Sequence, residues 1–178
     1  MFRALLFAGT GVAWFTFWFV IQPSTETIAS MQEWPRVVWF SATLLLLALA
    51  LVTFGRMVGG RWVVRLATIA AGAAGVLGVV NIVEDGFRVE AMFFVFVLGL
   101  LILDVALAGL ALAIALTAAG RRRLLAAIPA VTLAGVLLFP PVGGPLMLGA
   151  WLAASAAALA PVLREVPGAR PNPVTRRS

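Results

Sequence analysis

The sequence predicts an all-α polytopic membrane protein, a bundle of six transmembrane helices with both termini cytoplasmic. Three observations carry this. Hydrophobic residues make up 63% of the chain and charged residues 11%, with a mean hydropathy of +1.09, whereas soluble domains sit near 45–50% apolar and about 25% charged. The apolar residues fall into six runs, most of them near the length of a bilayer crossing. The arginines collect in alternate loops, as the positive-inside rule requires.

The first span covers about residues 2–22. One basic residue, an apolar run and the small-residue stretch "TIA" at 27–29 resemble a secretory signal. The run is too long for one, however, and carries Trp14, Phe15, Phe17, Trp18 and Phe19, so an uncleaved anchor is expected. Trp14 and Trp18 lie four residues apart and share a helix face, suited to packing near the outer leaflet or to stacking on a ligand. In the loop after this span, Ser24 or Thr25 can cap a turn of interfacial helix presenting Ile28 and Met31. The second span is 37–54, with Trp34 and Trp39 at the outer interface, and the third is 66–83, with Trp62 at the inner one. The fourth, 91–118, is the longest, and Asp104 interrupts it. The fifth, 124–139, is short, but the arginines before it can snorkel to the headgroups. The sixth is 146–163. Residues 1–163 thus form one transmembrane domain, and 164–178, "REVPGARPNPVTRRS", is a basic, proline-rich tail expected to be disordered.

Of the 13 arginines, all but Arg36 and Arg88 fall before the first span, in the even-numbered loops or in the tail. The opposite loops gather Glu26, Glu33, Glu84, Asp85 and Glu90. Both termini are therefore expected in the cytoplasm. The net charge of +6 reads as topology with some affinity for anionic lipids on that side, not as nucleic-acid binding. Exclusive use of Arg, with abundant Ala, Gly, Val and Leu, points to a GC-rich bacterial genome and hence to a bacterial inner membrane.

The chain contains no Cys, His, Tyr or Lys. Disulfides, thiolate nucleophiles, imidazole ligands and Schiff-base lysines are excluded with them. Phosphate loops, dinucleotide fingerprints and zinc spacings are absent too, so no cofactor and no soluble domain are expected. Three spans on each side of residue 86 would give the two halves opposite orientations, as an inverted repeat needs, but the halves share no convincing identity.

Asp104 requires a reason, because a charge at bilayer depth costs several kcal/mol, roughly 3 even on lenient scales. At 100° per residue Val97, Leu100, Ala108, Ala111, Ala115 and Ala118 surround it, while Phe96, Leu103, Leu110 and Ile114 lie to one side. Small residues let helices approach, so this stripe is expected to turn Asp104 into the bundle. The third span has a matching stripe, Ala67, Ala70, Ala74 and Gly78 with Asn81 and Asp85, expected to pack on the fourth as an antiparallel neighbour. Counting inward from the outer border places Thr10, Thr68, Ser155 and the carbonyl freed by Pro129 nearest its depth. Asp104 could tie two helices together as a neutral carboxyl, carry protons or cations, or touch a ligand.

A second constellation, "NIVEDGFRVE", sets Asn81, Glu84, Asp85 and Glu90 around Arg88 at the outer mouth of the same helix pair. It could attract a hard cation or stand as an interfacial loop with a local ion pair. The favoured function is a small transporter or ion- or proton-translocating protein whose path runs from this cluster to Asp104, possible partners being a second copy or another membrane protein. The alternative is a non-catalytic subunit or scaffold of a larger envelope or transport complex. An intramembrane enzyme ranks last, since the usual acids, bases and nucleophiles are missing.

Overall fold

The computed structural model describes residues 1–21, 33–138 and 142–164. The expected interfacial turn with Ser24 or Thr25, the "TIA" stretch, and the tail beyond Arg164 lie outside the described residues. The described residues are almost all helical, with no strand among them: α1 (Phe2–Thr16), α2 (Glu33–Val58), α3 (Arg61–Asn81), α4 (Phe93–Thr117), α5 (Ala127–Leu137) and α6 (Gly143–Arg164). Two π-helical turns extend the ends of α1 (Phe17–Ile21) and α3 (Ile82–Gly86), and three-ten turns precede α4 (Glu90–Met92) and α5 (Gly120–Ala126).

Among the described residues, five segments are long and apolar enough to cross a membrane: Phe2–Phe19, Trp34–Val58, Arg61–Gly86, Glu90–Thr117 and Gly143–Ala160. The run at 124–139, expected to be a full span, yields an α-helix of only 11 residues, about 16 Å long against a hydrocarbon core of about 30 Å. Pro129 stands in its first turn, where the ring is tolerated but blocks regular α bonding to the residues before it. Those residues wind as a three-ten turn through Arg121, Arg122 and Arg123.

Consecutive helices run antiparallel. Trp39 Nε1 donates to the Ala13 carbonyl at 3.1 Å and Thr10 Oγ1 to that of Leu46 at 3.5 Å, which fixes α1 against α2. Gly55 lies against Ala67, and Asn81 Nδ2 donates to Ser41 Oγ at 3.0 Å, which fixes α2 against α3. The reversal between those two turns on Gly59 and Gly60, at φ of 80° and 91°, values that favour glycine. Leu77 packs on Gly99 and Leu66 on Gly109, joining α3 to α4. Finally Ser155 Oγ donates to the Ala4 carbonyl at 2.9 Å, and a Cβ on Gly11 would stand 3.2 Å from Leu148 Cα, so α6 closes back along α1. The start of α1 and the end of α6 therefore share one end of the bundle. Arg3, Arg56, Arg61, Arg65, Arg121, Arg122 and Arg123 also belong to that end, while Arg36, Arg88, Glu84, Asp85 and Glu90 belong to the other.

Two expected packing faces change. The small stripe of α3 is buried as foreseen, but it meets α2: a Cβ on Gly78 would lie 3.0 Å from the Ser41 carbonyl oxygen. On α4 the buried residues are Gly99, Leu103, Ala106, Leu107, Leu110 and Ile114, whereas Val97, Ala108 and Ala115 are exposed. The helix packs with the flank holding Leu103, Leu110 and Ile114, leaving Asp104 half-buried at the edge of the interface. Gly99 and Gly109 on this side let Leu77 and Leu66 of α3 pack close, and in lipid close packing decides the face rather than area removed from water.

Candidate functional site

At the arginine-poor end, five helices surround a cavity of about 210 Å³. Its walls are aromatic. Trp14, Phe17 and Trp18 come from α1 and its π-helical turn, Phe40 from α2 and Phe96 from α4. Phe17 stacks on Phe40 with centroids 4.8 Å apart, and Trp18 meets Phe17 edge-on at 4.9 Å. A π-helical turn carries one residue more than an α-turn and re-aims the side chains beyond it, and such turns gather at functional sites. Both described π-helical turns contribute to the cavity, the first through Phe17 and Trp18 and the second through Asp85.

Polar groups are few and placed toward the arginine-poor end. Arg36 and Asp85 line the cavity, and Asp85 is exposed, so the space reaches the surface there. Asn81, 4% exposed, donates from Nδ2 to the Val37 carbonyl at 3.3 Å and to Ser41 Oγ at 3.0 Å. That amide nitrogen is committed to the α2–α3 seam, leaving the amide oxygen as the group it can offer elsewhere. The indole N–H of Trp14 is buried with no acceptor among the described residues. Leu44, Leu77 and Leu103 form the apolar part of the lining, and the other half of the bundle is filled by Phe7, Phe54 and Trp151, with Phe7 and Trp151 centroids 5.6 Å apart. A second cavity, of about 460 Å³ between α5, α6 and the turn before α5, is lined by no polar side chain that could orient a ligand.

The residues singled out in sequence separate into three groups. Asn81 and Asp85 belong to the cavity. Glu84 is half-buried and Glu90 exposed beside it, and among the described residues no three acidic side chains converge to hold a metal ion. The third group was expected around Asp104, and it does not assemble. Thr10 is fully buried, bonded to the Leu6 carbonyl of its own helix at 2.8 Å as well as to α2. Ser155 ties α6 to α1. Thr68 is exposed and bonds the Val64 carbonyl of its own helix at 2.8 Å. Asp104 Oδ1 is buried with no hydrogen-bond partner among the described residues. Counting residues gave depth, but depth does not say which way a side chain points.

Sequence reasoning missed Arg36 and the aromatic ring set of Phe17, Phe40 and Phe96. Arg36 did leave a signal, being one of two arginines on the side where arginines are otherwise absent.

Fold and site together define a class, a helical bundle with membrane-length apolar helices and a small amphipathic cavity at one end. No protein-family model, no curated protein and no solved structure matches the chain.

Proposed function

We propose that the protein is a small solute transporter of the bacterial inner membrane, with the cavity as its outward-facing binding site. In this reading α5, continued by its three-ten turn, makes a sixth crossing. Both termini lie in the cytoplasm, and the arginine-rich end rests against anionic headgroups. The observation that carries the proposal is the cavity itself: an apolar, aromatic pocket with a few convergent polar groups, the usual form of a small-molecule site. Solute binding is preferred to ion conduction because the hydroxyls of Thr10, Thr68 and Ser155 are bonded to backbone carbonyls and none is bonded to Asp104.

The test is uptake into proteoliposomes from a mixture of labelled amino acids, amines and carboxylates, comparing wild type with Leu100→Trp, which fills the cavity. Protein-dependent uptake that the plug abolishes supports transport; equal uptake from both, or none from either, overturns it. The second reading is a subunit or scaffold, favoured by α4, whose Leu101, Val105 and Leu112 are about 60% exposed beside Asp104. A stoichiometric membrane partner retained in mild detergent, with no uptake, would establish that reading instead.

A further inference from the structure

We infer that the cavity takes a small zwitterion: one molecule with an ammonium and a carboxylate at one end and an apolar body at the other. The inference rests on reading the cavity as a binding site. Its mouth presents one cation, Arg36, and one anion, Asp85, both in the lining. Asn81 bonds the Val37 carbonyl, so Arg36 stands near the level of Asn81 and Asp85 about one turn, ~6 Å, further out. A ligand with a single charge would satisfy one of these groups and bring the other a desolvated or repelled neighbour. A ligand with both charges satisfies each.

The guanidinium takes the carboxylate in the geometry for which Arg is suited. Asp85 takes the ammonium, and the amide oxygen of Asn81 is a further acceptor on the same helix face. Below the mouth, Phe40, Phe96 and Leu103 offer only apolar surface. The volume, about seven waters' share of liquid, suits a body of one ring or one branched alkyl group.

The test is calorimetric titration of the full chain in phospholipid nanodiscs with four probes that share one body: L-phenylalanine, phenethylamine, 3-phenylpropionate and 2-phenylethanol. L-Phenylalanine should bind about tenfold more tightly than either single-charge probe, the loss expected for one charge-assisted contact. Arg36→Gln should remove its advantage over phenethylamine, and Asp85→Asn its advantage over 3-phenylpropionate. A misfolded variant would lose every probe, so selective loss is its own folding control. Equal affinity for all four probes, no binding of any, or advantages that survive both substitutions would overturn the inference; a lipid chain in the cavity, or Arg36 and Asp85 serving only each other, would give such results. The measurement involves no flux. Binding without uptake keeps the zwitterion and removes the transporter, whereas plug-sensitive uptake of some other solute without zwitterion binding does the reverse.

Discussion

Asp104→Leu should make the isolated protein more stable by about 1 kcal/mol. A carboxyl that ties two helices together would give the opposite sign, a loss of about 1 kcal/mol, the size of an interhelical hydrogen bond in a membrane. In the structure Oδ1 is covered and has no hydrogen-bond partner among the described residues. A buried acceptor left unsatisfied costs about 1–3 kcal/mol. Asp104 as a whole is half-buried at the edge of the α4 interface, which places it at the low end of that range. Leucine removes the orphan and adds apolar contact with lipid and neighbours. Asparagine keeps the shape and the unmet polarity, so Asp104→Asn should stay within about 0.5 kcal/mol of wild type. Reversible unfolding in mixed dodecylmaltoside and dodecyl sulfate micelles, followed by tryptophan fluorescence, measures all three. Destabilisation by Asp104→Leu of about 1 kcal/mol or more would refute the reasoning, because the carboxyl would then have a partner that it lacks among the described residues. If that loss grew with protein concentration, the partner would be a second copy meeting the exposed face of α4.

Asn81→Ala removes both bonds across the α2–α3 seam and should cost about 1–2 kcal/mol in the same unfolding assay. Gly78→Leu should cost more, up to about 3 kcal/mol from overpacking, since its Cβ would stand 3.0 Å from a backbone oxygen and 3.4 Å from Leu44 Cβ. Gly72→Leu, on the same helix with nothing within 4 Å of its Cβ, should be close to neutral. For topology, single cysteines replacing Phe87 or Val142, which are 66% and 51% exposed, should react with an impermeant thiol reagent added to intact cells. One replacing Arg121 should not, and the reverse pattern would invert the orientation.

The helices were legible because the bilayer imposes a length, and charges mark where each run stops. The run at 124–139 failed as a full α-helical span for a reason the sequence contained: Pro129 close behind three arginines leaves too little regular helix. Which face of each helix turns inward was much harder to read. Water enforces an amphipathic pattern on a soluble helix, but lipid is as apolar as a protein core, so Leu101 at the surface and Leu103 in the core look alike in sequence. Alanine is equally uninformative, which is why Ala67 and Ala74 are buried, though against α2, while Ala108 and Ala115 face outward.

The same ambiguity redirects the search for function. Asp104 drew attention because a carboxylate inside an apolar helix is conspicuous one residue at a time. The cavity is conspicuous only when five helices come together, each supplying one or a few side chains that are ordinary alone. What the sequence offered was indirect: an arginine on the side where arginines are scarce, two tryptophans one turn apart, and an asparagine just before an acidic turn. Arg36, Trp14, Trp18 and Asn81 all line one space. Arg36 stands apart from the end of the bundle where most of the arginines collect, and it belongs to the lining with Asp85 and Asn81. In the proposed reading these three groups face one another across the mouth of the cavity, where a bound solute would share them.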